Sequence, residues 1–343
     1  MALRFDSCSK AESYSKNCID GCPPQGDESS ARWHEPWEDC MKERIGFIGL
    51  GSMGAGMADN LLRKGWPLTV HVHRSRTAAD RLIAAGATEA ASPRELAATC
   101  DIVILCVTGS HEVEALVKGQ DGLAAAAKPL LIIDCSTSNP SSTTALAADL
   151  AQQDITLIDA PLARTPKEAT EGKLDVMVGG AAEIVARARP VLEAFTARIV
   201  HTGPTGSGHT MKLLNNFISM GYSAIYSEAL SLGAKAGLTP QVFNSVISGS
   251  RMDCGFYQAF FDFVLNRNEN AQRFAIGNAL KDMTYLASFA QAAGIANPIG
   301  AAVRNGFATA VTTGHGEKFV PALSDIVAGL NGVSLVEATS PGQ

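Results

Sequence analysis

Arg44-Ile45-Gly46-Phe47-Ile48-Gly49-Leu50-Gly51-Ser52-Met53-Gly54 decides the fold of this chain, and Gly56-Met57-Ala58-Asp59-Asn60-Leu61-Leu62 follows it. Ile45 to Ile48 suits a strand, the glycines a tight turn, and Met53, Met57 and Leu61 recur at roughly helical spacing. Gly49 lets the strand turn sharply, Gly51 lets backbone approach a pyrophosphate, and Gly54 lets helix and strand pack closely. The phosphates then sit at the positive helix N-terminus. A glycine pattern alone is a turn signal. Here a second apolar strand, Leu68 to Val72, comes at the distance a βαβ unit requires, which makes the stretch a dinucleotide site.

Outward from this turn, strands and helices alternate. Ile102 to Val107 is a continuous apolar run suited to a buried parallel strand, as are Leu130 to Asp134 and Ile155 to Ala160, with Ala-rich helical stretches between them. The fold class is therefore α/β, with a doubly wound parallel sheet. After Val200-His201-Thr202-Gly203-Pro204 the character changes to long Ala/Leu/Ser-rich segments. These read as helices over Gly208 to about Gly237, Pro240 to Ser248 and beyond Ala275.

The chain of 343 residues allows about two domains, and 46% hydrophobic against 18% charged residues supplies a large core. A net charge of −6 argues against a nucleic-acid surface. No apolar run approaches the roughly 20 residues that span a bilayer. Residues 1–41 are polar and aperiodic and read as a disordered extension. Cys8, Cys18, Cys22 and Cys40 within it lack paired Cys-x-x-Cys knuckles, which argues against zinc. Cys100, Cys106, Cys135 and Cys254 lie in or beside apolar runs and read as buried free thiols. The histidines His71, His73, His111, His201, His209 and His315 show no ligand spacing, so no metal is assigned.

Four separated motifs are more specific than any of these signals. They are the turn Gly49 to Gly54; Asp159-Ala160-Pro161-Leu162 with Gly172, Leu174, Met177 and Gly179-Gly180; Gly208-His209-Thr210-Met211-Lys212-Leu213-Leu214-Asn215-Asn216; and Lys281-Asp282. Over about Arg44 to Gly332 the chain resembles the β-hydroxyacid dehydrogenases, the family that includes 3-hydroxyisobutyrate and 6-phosphogluconate dehydrogenases. The resemblance implies a Rossmann-type domain over 42–204, an all-helical substrate and dimerisation domain over 205–335, a tail over 336–343, and a homodimer or homotetramer; the expected location is cytoplasmic. It places the catalytic lysine at Lys212 and a substrate-contacting asparagine at Asn215. Cofactor contacts fall on Gly49, Leu50, Gly51, Ser52, Met53 and Gly54. Leu105, Cys106 and Thr108 come near the adenosine side, Thr137 near the nicotinamide, and Lys281 beside the cofactor. Physically, a lysine can give a proton to a carbonyl oxygen as hydride reaches carbon, with a pKa lowered by desolvation.

The departure from the family that bears on the substrate is at one turn. Most relatives carry Ser-Gly-Gly after the Asp-Ala-Pro segment, whereas Ala163-Arg164-Thr165 stands here. The Arg164 guanidinium is a planar fork of donors suited to a fixed anion. With Lys212, Asn215 and Ser219 it looks like the arrangement in 3-sulfolactaldehyde reductases, where arginine, asparagine and serine contact the sulfonate. Arg164, Thr165, Asn215 and Ser219 are thus the expected substrate contacts. The expected reaction is NAD(P)-dependent interconversion of a short anion-bearing aldehyde and its hydroxy acid, with 3-sulfolactaldehyde favoured. Succinic semialdehyde reduction and a 3-hydroxyisobutyrate dehydrogenase-like activity are the alternatives. An imine reductase or a non-catalytic cofactor-binding module would depart from the lysine position. At the end of the second strand, Val72-His73-Arg74-Ser75-Arg76 holds no acid, and Arg74 and Ser75 can hold a 2′-phosphate. NADP(H) is therefore favoured over NAD(H), although 3-sulfolactaldehyde reductases often use NADH.

Overall fold

The computed structural model describes residues 42–73 and 76–336. The expectations for residues 1–41, for Arg74 and Ser75, and for the tail from 337 onward lie outside the described residues.

The apolar runs become strands and the Ala-rich stretches helices. In chain order these are β1 (Ile45–Ile48), α1 (Gly54–Arg63), β2 (Leu68–His71), α2 (Thr77–Ala84), β3 (Thr88–Glu89), α3 (Pro93–Thr99), β4 (Ile102–Leu105), α4 (Ser110–Lys118), β5 (Leu130–Asp134), α5 (Pro140–Ala151) and β6 (Ile155–Asp159). β1, β4 and β5 are buried at every position, as strands covered on both faces must be. Their side chains alternate between two cores. Phe47, Ile104 and Ile133 pack with Met57 and Leu61 on one face, while Ile48, Val103 and Ile132 pack with Leu96 and Leu157 on the other.

The register sets the site. Ile48 pairs with both His71 and Leu105, Leu105 with Asp134, and Asp134 with Asp159, so five parallel strands end level. The sheet order is β3-β2-β1-β4-β5-β6, with the direction of winding reversing between β1 and β4. A crevice opens at the carboxyl ends of the strands at such a switch point.

Beyond β6 the sheet differs from the expected parallel pattern. β7 (Leu162–Ala163), α6 (Pro166–Glu171), β8 (Leu174–Gly179), α7 (Ala182–Leu192) and β9 (Thr196–Gly203) follow. β8 runs antiparallel to β6 and β7, and β9 parallel to β8. β7 has only two residues, and β9 is exposed or half-buried at all but its first position, so neither presents a buried apolar run to read.

The remainder is helical: α8 (Ser207–Lys235), α9 (Pro240–Ile247), α10 (Gly255–Asn266), α11 (Ile276–Ala292), α12 (Pro298–Ala310) and α13 (Leu323–Leu330). The aromatic-rich α10 is not apparent from local propensity. Its helix is made by a buried i, i+3, i+4, i+7 stripe of Tyr257, Phe260, Phe261 and Val264, packed with Leu230.

The glycine turn has the shape its sequence predicts. Gly49 has φ +105°, and a Cβ there would lie 2.1 Å from the Cys106 carbonyl oxygen. A Cβ on Gly54 would lie 1.9 Å from the Gly49 carbonyl oxygen. Because backbone cannot retreat as a flexible side chain can, we expect Gly54→Ala to destabilise the fold by about 2–3 kcal/mol and to weaken nicotinamide-cofactor binding. Urea unfolding and a fluorescence titration with cofactor check this; a wild-type midpoint would show that the turn can open.

Candidate active site

Asp159, fully buried at the end of β6, accepts from the backbone N–H groups of Gly206 at 2.6 Å (Oδ1) and His209 at 2.7 Å (Oδ2). It thereby satisfies orphan donors at the start of α8 and meets the positive end of a 29-residue helix. Burial pushes its pKa up, and His209 and these backbone donors act against that rise. The glycines of two separate motifs make room for the junction. A Cβ on Gly208 would sit 2.9 Å from Asp159 Oδ2, and one on Gly179 2.6 Å from Oδ1. His209 is buried in the same place, with Nδ1 2.8 Å from Thr143 Oγ1 and Nε2 3.2 Å from the Ser136 carbonyl oxygen. Helix α8 is thus tied to β6, α5 and the loop after β5.

Lys212 follows His209 by about one helical turn, on the wall of a cavity of about 760 Å³. Burial pushes its ammonium pKa down; the carboxylate of Asp282 works against this and the charge of Lys281 with it. Asp282, buried on α11, accepts from Asn216 Nδ2 at 2.6 Å and lies 2.8 Å from Lys281 Nζ. Lys281 Nζ donates in turn to the Thr137 carbonyl oxygen at 2.8 Å and lies 4.8 Å from the Tyr285 ring centroid. The Tyr285 hydroxyl accepts from the Ser110 N–H at 3.2 Å. These contacts span from α11 to the loops after β4 and β5.

The same cavity gathers most of the residues that the sequence singled out. Gly51, Ser52, Met53, Gly54, Cys106, Thr108 and Thr137 line it from the sheet side, and Lys212, Asn215, Ser219 and Lys281 from the helical side. Arg164 and Thr165 line it from the turn after β7. Gly49, Leu50 and Leu105 do not line it; Leu105 is buried inside the sheet. The space where a Gly51 side chain would stand holds no atom within 4 Å, which fits a pyrophosphate approaching the start of α1.

Two of these side chains have hydrogen-bonding duties of their own. Thr165 caps α6: its hydroxyl donates to Glu168 and accepts from the Lys167 N–H at 3.3 Å. Ser219 donates to the carbonyl oxygens of Asn215 and Asn216, at 3.2 and 3.1 Å, leaving an oxygen that can still accept. Arg164 has φ +82°, and its Nε lies 3.0 Å from Asp175 Oδ2. Further cavity residues were not apparent in the sequence as part of a site. Asp282 and Asn216 stand inside quoted motifs, whereas Gln272, Arg273 and Phe274 belong to a loop that reaches the cavity only through tertiary folding.

The thiols divide differently from the sequence reading. Cys100 and Cys135 are buried and Cys106 partly so, but Cys254 is exposed, because it immediately precedes α10 rather than lying on its buried stripe. Burial pushes the Cys106 thiol up to about 12 and Cys135 well above its ordinary value, which keeps both protonated beside the cavity.

Two family models match in tandem: the NAD binding domain of 6-phosphogluconate dehydrogenase over residues 44–203, and the NAD-binding domain of NADP-dependent 3-hydroxyisobutyrate dehydrogenase over 206–324. A 3-hydroxyisobutyrate dehydrogenase of Pseudomonas aeruginosa is 37% identical, over 77% of this chain and 90% of its own length. The chain belongs to the β-hydroxyacid dehydrogenase family. It is accordingly an NAD(P)-dependent hydroxyacid dehydrogenase. A 3-sulfolactaldehyde reductase of Escherichia coli is 32% identical, over 80% of this chain and 92% of its own. Among solved structures, a Mycobacterium tuberculosis 3-hydroxyisobutyrate dehydrogenase with L-serine superposes with a TM-score of 0.75 at 28% identity, covering 84% of this chain and 99% of that one.

For this dehydrogenase we expect Asp159→Ala to cost about 2–3 kcal/mol of stability, since it leaves two buried N–H groups without their charged acceptor. Thermal unfolding followed by circular dichroism measures it. An unchanged midpoint would mean that α8 is anchored by other contacts.

Proposed function

We propose that this enzyme interconverts a short aldehyde bearing a terminal anion and its hydroxy acid, with 3-sulfolactaldehyde as the favoured aldehyde. The observation that carries the reading is Arg164. A non-glycine residue at φ +82° costs about 1 kcal/mol or more, and such strain is a mark of function. The ion pair to Asp175 is made through Nε at 3.0 Å, and in this reading the Nη1/Nη2 edge of a residue that lines the cavity takes a bidentate anion. Asn215 and Ser219, one helical turn apart on α8, supply further polar contacts. A carboxylate satisfies the same edge, which makes succinic semialdehyde the second reading and a 3-hydroxyisobutyrate-like substrate the third.

In this reading the substrate carbonyl lies beside Lys212, whose ammonium gives its proton to the oxygen during reduction and whose amine takes it back during oxidation. The bound nicotinamide supplies or accepts the hydride. Asp282 holds Lys212 by charge across the α8–α11 contact, while Asn216 and Lys281 hold Asp282. NADP(H) is the favoured cofactor. Arg76 is engaged by Glu89, at 2.9 Å from both Nη atoms, and by Asp80, so a 2′-phosphate falls to Arg74 and Ser75.

The same proposal assigns cofactor binding to 42–204 and substrate binding and assembly to 205–335. Ile218, Ile225 and Leu232 recur every seven residues on α8 and are 55%, 61% and 73% exposed, which supports a homodimer or homotetramer built through this helix. Among the described residues no helix is long and apolar enough to cross a membrane, and the proposed location is cytoplasmic.

Two measurements test the chemistry. Reduction needs Lys212 protonated, so its kcat/KM falls as pH rises through the lowered lysine pKa, whereas oxidation needs the neutral amine and gains over the same interval. Lys212→Ala should lose about 100-fold or more in both directions. A reductive profile flat to about pH 10, the range of an unperturbed lysine, would remove Lys212 from the proton transfer. For specificity, kcat/KM with 3-sulfolactaldehyde should exceed that with succinic semialdehyde by about 10-fold, or about 1.4 kcal/mol. Arg164→Gly should erase that preference; if it changes nothing, Arg164 is not the anion anchor.

A further inference from the structure

The cations of the cavity are unequally neutralised. Arg164 is paired with Asp175 and Lys281 with Asp282. Arg273, an exposed residue, has like Lys212 no carboxylate within 4.0 Å among the described residues, and its guanidinium carbon lies 6.0 Å from the centre of the Phe319 ring. An aromatic face favours the cation there while leaving its charge available. Beside it, the Oε1 of Gln272 is buried and accepts no hydrogen bond. Both residues line the cavity that holds Lys212 and Arg164.

The backbone carrying these two side chains is pinned. Ala275 pairs with Phe319 in an antiparallel bridge, the Val320 N–H donates to the Phe274 carbonyl at 2.9 Å, and the Ile276 N–H donates to that of Lys318 at 2.8 Å. The Phe274 N–H donates back to the Gln272 carbonyl at 3.0 Å. Arg273 and Gln272 are therefore presented on a loop fixed at its C-terminal side.

We infer that Gln272 and Arg273 form a second anionic subsite, which binds, beyond the monoanionic aldehydes proposed above, dianions carrying a hydroxyl next to their second charged group. The inference rests on the reading of Arg164 as the first anchor. A monoanionic aldehyde held at Arg164 leaves Arg273 without a counter-charge and Gln272 Oε1 without a donor. A carboxylate flanked by a hydroxyl answers both: the carboxylate accepts from Arg273, and the hydroxyl donates to Gln272.

Binding to the enzyme saturated with NADP+ tests this without requiring turnover. Calorimetric titration of the α,ω-dicarboxylates from succinate to pimelate, each against the monocarboxylate of equal chain length, brackets the unknown span. The best diacid should bind at least about 10-fold tighter than its monoacid, a difference of about 1.4 kcal/mol. Arg273→Met should remove that advantage while leaving monoacid affinity in place, and Arg273→Lys should retain much of it. The 2-hydroxy derivative of the best diacid should gain further affinity, which Gln272→Leu removes. The subsite is overturned if no diacid outbinds its monoacid, or if Arg273→Met weakens both classes equally. Arg164→Gly separates the two claims. If it leaves monoacid binding intact while the diacid advantage still depends on Arg273, the Arg164 reading fails and the second subsite stands.

Discussion

Two backbone N–H groups converging on the buried carboxylate of Asp159 hold the active site to the sheet. The constraint acts at a distance from the chemistry. Asp159 ends β6, the last of five strands that finish level, and it grips the first turn of the helix that carries Lys212. A helix of 29 residues, about 44 Å long, is aimed by its first turn, because an angular error there grows along its length. Gly179 and Gly208 are required because the carboxylate, the edge of β8 and the helix start crowd into the space of a Cβ atom. His209 closes the junction with one ring nitrogen on each neighbouring element.

From that junction the electrostatics of the cavity follow in sequence along α8 and α11. Desolvation lowers the ammonium of Lys212, and a single buried carboxylate, Asp282, limits the fall. Asp282 is itself held by Asn216 and Lys281, so the charge state of Lys212 is governed by partners on both helices. Lys281 also reaches the Thr137 carbonyl on the sheet side. Closure of the helical part over the strand ends and tuning of the lysine are therefore the same set of contacts.

Arg164 stands apart from this framework because it breaks a local rule. Its positive φ belongs to glycine, yet the chain accepts the strain and balances the guanidinium against Asp175 across the β7–β8 pair, where Ala163 and Asp175 are register partners. A residue that is costly for the backbone and lines a cavity is the kind of local exception on which the proposed anion anchor rests.

The sequence by itself determined the part of this protein that depends on neighbours in the chain. The glycine turn, the buried parallel strands and the start of α8 each rest on local spacing, since a strand two-sidedly buried or a helix start declares itself within a few residues. Lys212 and Arg164, which the structure places on one cavity, stood out in the sequence because each sits inside, or at a departure from, a short motif. Tertiary structure decided what depends on residues brought together from far apart. The antiparallel edge at β7 and β8 exists through pairing of strands too short or too exposed to mark themselves, and α10 is helical because its aromatic stripe is buried. Gln272 and Arg273 carry no local signal of a place at the cavity. They reach the cavity only because the loop before α11 bridges to Phe319, an interaction across more than forty residues that no local pattern encodes.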